Sequence, residues 1–262
     1  MKSAIFLTVR NKSTRLPGKS FLKIKGRTTI EHLIDRLKLS RLADMIVLCT
    51  STNHDDDCLV EIAKKNRINF FQGSEDDKLE RYLDAAKKFS VDFMVIVDGD
   101  DLFCDPEYMD KIIAKHNETE TDFISCEGLP FGVASHGMTL SALQQVCEKK
   151  KESDTEVWGD YFYKNDAFKK AVIKANPDVN YPDFRMSLDY MEDFNFFKRV
   201  FDELGDKNTF SLADIVNLLK KKPEVRKINE HMHQVYEQNI KAKQEKVKKD
   251  MKKGSERHKE RC

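Results

Sequence analysis

"SAIFLTVRNKSTRLPGKS", residues 3–20, joins a short apolar run to a loop that carries four cations, three hydroxyls and a Pro-Gly turn. The first seven residues suit a buried β-strand. Cations and backbone donors grouped just past a strand end are the groups that bind an anion, most often a phosphate. A solvated basic turn is the alternative on composition alone. The stretch therefore predicts a strand followed by an anion-binding loop.

Short apolar runs alternate with helical patterns through the first half of the chain. Residues 45–50 and 93–98 are composed like buried strands, and apolar residues recur at helical spacing over 28–40 and 106–117. Such alternation predicts right-handed βαβ units and a mainly parallel sheet covered on both faces. The expected fold class is α/β, a three-layer α/β/α arrangement in which helices cover both faces of the sheet.

Ligands of such sheets bind beyond the carboxyl ends of the strands. Three segments follow predicted strands directly: 10–19, 50–54 and 98–101. We expect them to converge in one cleft, although they are far apart in sequence.

The second half is less regular. Residues 128–138 read as a Gly- and Pro-rich loop, and residues 184–188 as a strand. From Pro223 onward the pattern is that of one long, highly charged helix. We therefore predict a domain over 1–222 and a charged helical extension over 223–262.

The charge of the chain is unevenly distributed. The 262 residues carry a formal net charge of +1, but residues 241–262 contain ten Lys or Arg and only four Asp or Glu. This basic tail has no aromatic side chain on which a base could stack, and the remainder is mildly acidic. We expect no nucleic-acid partner.

Cysteine use and hydropathy indicate the compartment. The six cysteines are scattered without a C-x-x-C spacing, so neither a disulfide framework nor a zinc site is expected. No apolar stretch reaches the length of a membrane span. A cytoplasmic protein is the expectation.

The loop also partly matches the P-loop pattern G-x-x-x-x-G-K-[ST]. Ser13 stands where that pattern needs its first glycine, and Pro17 lacks the N–H that the phosphate cradle uses. Residues 21–27 then separate the loop from the next helical pattern. These departures disfavour a P-loop.

Residues 10–19 instead closely resemble the loop R-x-x-S-x-R-L-P-G-K of the cytidylyltransferase family, which includes CMP-sialic acid synthetases, Kdo cytidylyltransferases and spore-coat polysaccharide proteins. Three further blocks are similar to the spore-coat branch: 73–86, 184–194 and 210–229. The four blocks occur in the family's order and cover most of the chain.

The resemblance implies a nucleotidyltransferase fold of the GT-A or Rossmann-like kind. It also implies transfer of a cytidylyl group from CTP to an acceptor, with release of pyrophosphate. Arg15 and Lys19 would be the catalytic cations. Implied nucleotide contacts are Arg10, Ser13, Arg15, Gly18, Lys19, Thr50, Ser51, Gly73, Ser74 and Arg81.

The resemblance further implies a Mg²⁺ site at Asp100 and Asp189. Asp100 lies past the end of the most apolar predicted strand, and Mg²⁺ prefers carboxylate oxygens together with phosphate. Asp98 and Asp101 add negative charge nearby.

Departures from the family pattern fall mainly in the acceptor half. His136 stands where an acidic residue is usual, and "DTEVWGDYF" (154–162) keeps only part of its block. The expected acceptor is an acidic or modified sugar for a surface glycan. A small phosphonate or phosphate acceptor, and a nucleotide-binding module without turnover, remain alternatives. A homodimer is expected from the resemblance.

Overall fold

A computed structural model describes residues 1–205, 210–241 and 245. The strands are β1 (Ser3–Thr8), β2 (Lys23–Ile24), β3 (Arg27–Thr28), β4 (Met45–Ser51), β5 (Asn69–Gly73), β6 (Phe93–Asp98), β7 (Phe123–Glu127), β8 (His136–Thr139) and β9 (Lys170–Lys174).

The first group of helices comes before β9 in the chain. They are α1 (Thr29–Leu37), α2 (Asp57–Lys65), α3 (Lys78–Phe89), α4 (Pro106–Thr119), α5 (Leu140–Lys149) and α6 (Asp160–Tyr163). After β9 come α7 (Met191–Leu204), α8 (Leu212–Lys221) and α9 (Pro223–Arg226), and residues 232–241 are also helical.

Seven strands form the central sheet in the order β5-β4-β1-β6-β8-β7-β9. The pairs β5-β4, β4-β1, β1-β6 and β7-β9 are parallel, whereas β8 is antiparallel to both of its neighbours. β1 lies between β4 and β6, so the loops that follow these three strands meet at one edge. The predicted, mostly parallel α/β sheet is confirmed.

Alternate residues of β1 face opposite layers, as the pleat requires. Ile5 and Leu7 pack with apolar residues of α1, α2 and α4 on one face. Ala4 and Phe6 pack with residues of α3 and α5 on the other. A third apolar cluster joins residues of α7 and α8 to residues of the loops after β1 and β6, such as Leu16 and Phe103.

The part of the sheet that lies between β6 and β7 differs from the expectation based on sequence. Residues 136–138, expected in a loop, belong to β8. Gly137 makes this possible, because a Cβ there would come within 2.5 Å of Phe93 and 2.4 Å of Ile112. Position 137 thus has no room for a side chain, and the Gly-rich run forms a central strand between β6 and β7.

Residues 184–188, expected as a strand, form no strand. The segment makes one parallel bridge, Phe131 to Arg185, and is buried on both sides. Its apolar residues alternate because they pack into the α7-α8 cluster, while Arg185 and Ser187 face the carboxylate of Asp189.

The long helix expected from Pro223 is interrupted. α9 ends at Arg226, and turns precede the helix over 232–241. Asn229 explains the break: it is 1% exposed, and its amide nitrogen donates to Asp193 Oδ1 at 2.9 Å and to the Arg185 carbonyl. Most of the basic tail predicted over 241–262 lies outside the described residues.

Helix α3 begins at Lys78, and its N-cap is Asp77, whose Oδ1 accepts from the Glu80 N–H. The Ser74 hydroxyl accepts from the Asp77 N–H just before the helix. Within the described ranges, no helix is both long enough and apolar enough to cross a membrane.

Thr28 and Glu31 form a capping box at the start of α1, with both reciprocal hydrogen bonds present. We predict that Thr28→Ala lowers the free energy of unfolding by about 1 kcal/mol, because one N-terminal donor of α1 loses its partner. Denaturant unfolding measures the change. Thr28→Ser keeps the hydroxyl and is the control; equal losses in both variants would contradict the capping role.

Candidate active site

A cleft of about 650 Å³ opens at the carboxyl ends of β1 and β6. Six of the residues singled out from sequence line it: Arg10, Ser13, Arg15, Lys19, Arg81 and Asp100. The loops after β1 and β6 therefore converge as expected, whereas no residue of segment 50–54 lines the cleft. Side chains from the second half form the remaining walls, among them Phe131, Trp158 and Tyr236.

The loop after β1 turns sharply at Gly18, whose φ of +67° belongs to the left-handed region that favours glycine. A short 3₁₀ turn over Lys19–Phe21 follows. The Lys19 carbonyl accepts a 2.6 Å bond from the Thr29 hydroxyl at the start of α1. This turn points Lys19 into the cleft.

Lys19 binds two carboxylates from different parts of the chain. Its ammonium lies 2.8 Å from Asp100 Oδ2 and 3.4 Å from Asp189 Oδ1, and it also donates to the Leu188 carbonyl at 2.8 Å. Arg15 Nη2 lies 2.5 Å from the same Asp189 oxygen. The two predicted catalytic cations and the two predicted metal ligands are therefore in direct contact.

Arg185 and Asp193 fix the position of Asp189 through hydrogen bonds. Arg185 makes a bidentate pair with Asp193 at 2.8 Å and contacts Asp189 Oδ2 at 3.1 Å. Asp193 Oδ2 also accepts from the backbone N–H groups of Asp189 and Tyr190. These groups are essentially inaccessible to solvent, so the Asp189 carboxylate has a fixed position.

Opposing effects set the charge states of this group. Burial alone would raise the pKa of Asp189, but Lys19 and Arg15 outweigh it and lower that pKa to about 2. Burial would lower the pKa of Lys19, yet Asp100 and Asp189 raise it above its ordinary value. Lys19 and Asp189 are therefore both charged near neutral pH.

Carboxylate oxygens of Asp98, Asp100 and Asp101 lie within 4.8 Å of one another. Burial, together with the neighbouring carboxylates, raises the pKa of Asp101 well above its usual value. Hard oxygen ligands at this spacing, beside the cations of loop 10–19, fit the preferences of Mg²⁺. Asp189 is outside this trio and meets Asp100 through the Lys19 ammonium.

On the β4-β5 side, Arg10 and Arg81 line the cleft and are held by the loop before α3. Arg10 Nη1 donates to the Glu75 carbonyl at 2.6 Å, and Arg81 Nη1 to the Ser74 carbonyl at 2.8 Å. Arg81 is fully buried, although it lies on a helix. Loop 74–77 is thus hydrogen-bonded to Arg10 in the loop that follows β1.

The other predicted base contacts lie behind this wall. Thr50 and Ser51 are 0 and 1% exposed, and the Ser51 hydroxyl donates to Asp56 at 2.5 Å. Gly73 lies so close to Phe71 and Arg81 that a Cβ would clash. Thr50, Ser51, Gly73 and Ser74 do not line the cleft, and neither does Gly18. Their nucleotide contacts stay predictions.

Lys78 was not anticipated from the sequence. It lines the cleft, and its ammonium lies 2.7 Å from Asp98 Oδ1. Its position in the first turn of α3 gave no signal, since a lysine there is ordinary on a solvated helix. Tyr236 also lines the cleft, and a tyrosine in a highly charged helical pattern gave no signal either.

The β8 side of the cleft is aromatic and acidic. It includes His136, Trp158, Asp154 and Glu156. His136 lies 5.5 Å from the Trp158 ring and 2.6 Å from the Tyr163 hydroxyl, and burial lowers its pKa to about 4. Where an acidic residue was usual, the chain has a neutral imidazole.

A model of the cytidylyltransferase family matches residues 4–250. The chain superposes on a solved cytidylyltransferase of Leptospira borgpetersenii with a TM-score of 0.79 at 29% identity; the match covers 86% of this chain and 96% of that one.

Two curated relatives match over nearly their whole length. An uncharacterized protein of Methanocaldococcus jannaschii is 28% identical over 236 residues, covering 89% of this chain and 97% of the relative. The spore coat polysaccharide biosynthesis protein SpsF of Bacillus subtilis is 23% identical over 232 residues, covering 86% and 97%.

We predict that Asp193→Ala lowers the free energy of unfolding by about 3–5 kcal/mol, because it leaves the buried Arg185 guanidinium without its bidentate partner. Denaturant unfolding at pH 7 gives the value. Glu230→Ala, which breaks the half-exposed Arg226–Glu230 pair, is the control and costs less than about 1 kcal/mol. A loss of that small size for Asp193→Ala would contradict the prediction.

Proposed function

This chain belongs to the cytidylyltransferase family, and we propose that it transfers a cytidylyl group from CTP to a hydroxyl of an acidic or modified sugar. The observation that carries the proposal is the contact of Lys19 with Asp100 and Asp189 beside Arg15. It supports a polyanion site next to a carboxylate cluster, at the sheet edge where the phosphate loop lies.

In this reaction the acceptor oxygen bonds to the α-phosphorus of CTP, while the bond from that phosphorus to the β-phosphate oxygen breaks and pyrophosphate leaves. Arg15 and Lys19 would grip phosphate oxygens, Arg15 by way of its planar fork of donors. Asp189 and Asp100 hold these cations in the cleft, so little reorganisation would be needed when the triphosphate binds.

We propose Asp100 as a Mg²⁺ ligand, with Asp98 or Asp101 beside it and Asp189 as the second predicted ligand. Bound Mg²⁺ would neutralise phosphate charge and favour in-line geometry. The chain's own part is to hold the carboxylates: Lys78 pairs with Asp98, and Arg185 with Asp189.

The acceptor would bind on the β8 side. Asp154 and Glu156 offer carboxylates to which sugar hydroxyls can donate, and Lys78 supplies an ammonium that an acidic group could approach. The spore-coat polysaccharide relative supports a sugar acceptor. A cytoplasmic homodimer stays a prediction.

We predict acceptor-dependent pyrophosphate release with CTP and Mg²⁺. A coupled assay with each of the four NTPs, against sugar acids, neutral sugars and phosphonates, measures it. Release with UTP instead would reassign the base, and release with phosphonates alone would replace the sugar. CTP binding without release over a broad panel would favour the module without turnover.

We predict that Lys19→Ala lowers kcat/KM on the order of 10²–10³-fold, because one preorganised cation on the phosphates is lost. Lys12→Ala is the matched control: Lys12 lies in the same loop and lines the cleft, but it is 71% exposed, and Glu75 is its one ion-pair partner among the described residues. Equal effects of the two changes on kcat/KM would argue that loop charge, not the position of Lys19, matters.

A further inference from the structure

Tyr236 lies on the helix over 232–241, outside the sheet and its covering layers, yet it lines the cleft. Its ring centroid is 5.6 Å from Arg15 Cζ and 5.4 Å from Arg185 Cζ. One aromatic ring thus contacts both guanidinium groups that bind Asp189. These distances fall within the range of cation–π contacts.

Tyr190 contacts the same two cations, at 5.8 Å from Arg15 and 5.7 Å from Arg185. The Nε of Arg15 and Nη1 of Arg185 are buried and have no hydrogen-bond partner among the described residues. Hydrogen bonds therefore fix only part of each guanidinium, and the rings supply the remaining contacts.

The helix over 232–241 is anchored on the rest of the molecule by aromatic and polar contacts. Phe131 lies 5.0 Å from the Tyr236 ring and 4.9 Å from the His233 ring. Asn239 Nδ2 donates to the Tyr190 hydroxyl at 2.9 Å. Burial and the nearby Asp100 and Asp189 carboxylates raise the pKa of Tyr236, so its hydroxyl stays neutral.

We propose that Tyr236 is a positioning residue that holds Arg15 for the nucleotide triphosphate, which makes the helix over 232–241 part of the phosphate site. This inference rests on the proposed function. A cation–π contact uses none of the hydrogen-bond donors of a guanidinium, so they stay available to an anion. Arg15 can therefore exchange Asp189 for a phosphate oxygen without losing the contact with Tyr236.

The test is the Kd for CTP, measured by calorimetric titration of the full chain without acceptor. Tyr236→Leu and Tyr236→Met both remove the ring, and each raises the Kd about tenfold, the effect of one partly buried cation–π contact. Tyr236→Phe keeps the ring and retains the wild-type Kd.

His233→Ala is the matched control. His233 lies on the same helix and contacts Phe131, but it does not line the cleft. If docking of the helix were all that mattered, His233→Ala would weaken CTP binding as much as Tyr236→Leu does, and that result would overturn the inference.

A double-mutant cycle separates positioning from general damage. An Arg15→Ala background has no cation for the ring to contact, so Tyr236→Leu weakens CTP binding much less there than in the wild type. Fully additive effects would overturn the role of Tyr236 while leaving the proposed function intact. A wild-type chain that does not bind CTP would overturn the proposed function, and this inference with it.

Discussion

The contacts of the Lys19 ammonium with two carboxylates hold together the segments that form the candidate site. A buried lysine with a charged side chain is costly unless it is paired, and here Asp100 and Asp189 approach it from separate segments. The pairing joins the loop after β1, the loop after β6 and the segment before α7. A triphosphate would meet cations that already occupy their positions, beside carboxylates suited to a metal ion.

Sheet order explains why these groups meet. β1 lies between β4 and β6, and all three run parallel, so their following loops share one edge. Arg10 and Arg81 lie on the β4-β5 side of the cleft, and β8 places His136 and its aromatic neighbours on the other side. The two sides of the cleft therefore differ, with guanidinium groups on one and aromatic rings on the other.

The segment from Arg185 to Asp193 links this centre to the last part of the chain. Its buried ion pairs orient Asp189 on one side and accept the Asn229 amide on the other. The turn at Asn229 directs the next helix back across the cleft, where Tyr236 contacts Arg15. A helix that reads in sequence as a solvated extension thus contributes a wall of the site.

Local sequence determined the α/β class, the strands β1, β4 and β6, and the loop cations, because apolar period and turn chemistry depend on neighbouring residues alone. The family resemblance pointed to Asp100 and Asp189, which the structure places in contact with Lys19. Only the tertiary structure decided that Gly137 lies in a central strand, that Arg81 is buried, and that Lys78 and Tyr236 face the cleft. Those outcomes depend on which residues become neighbours in the folded chain, and spacing along the sequence does not give that information.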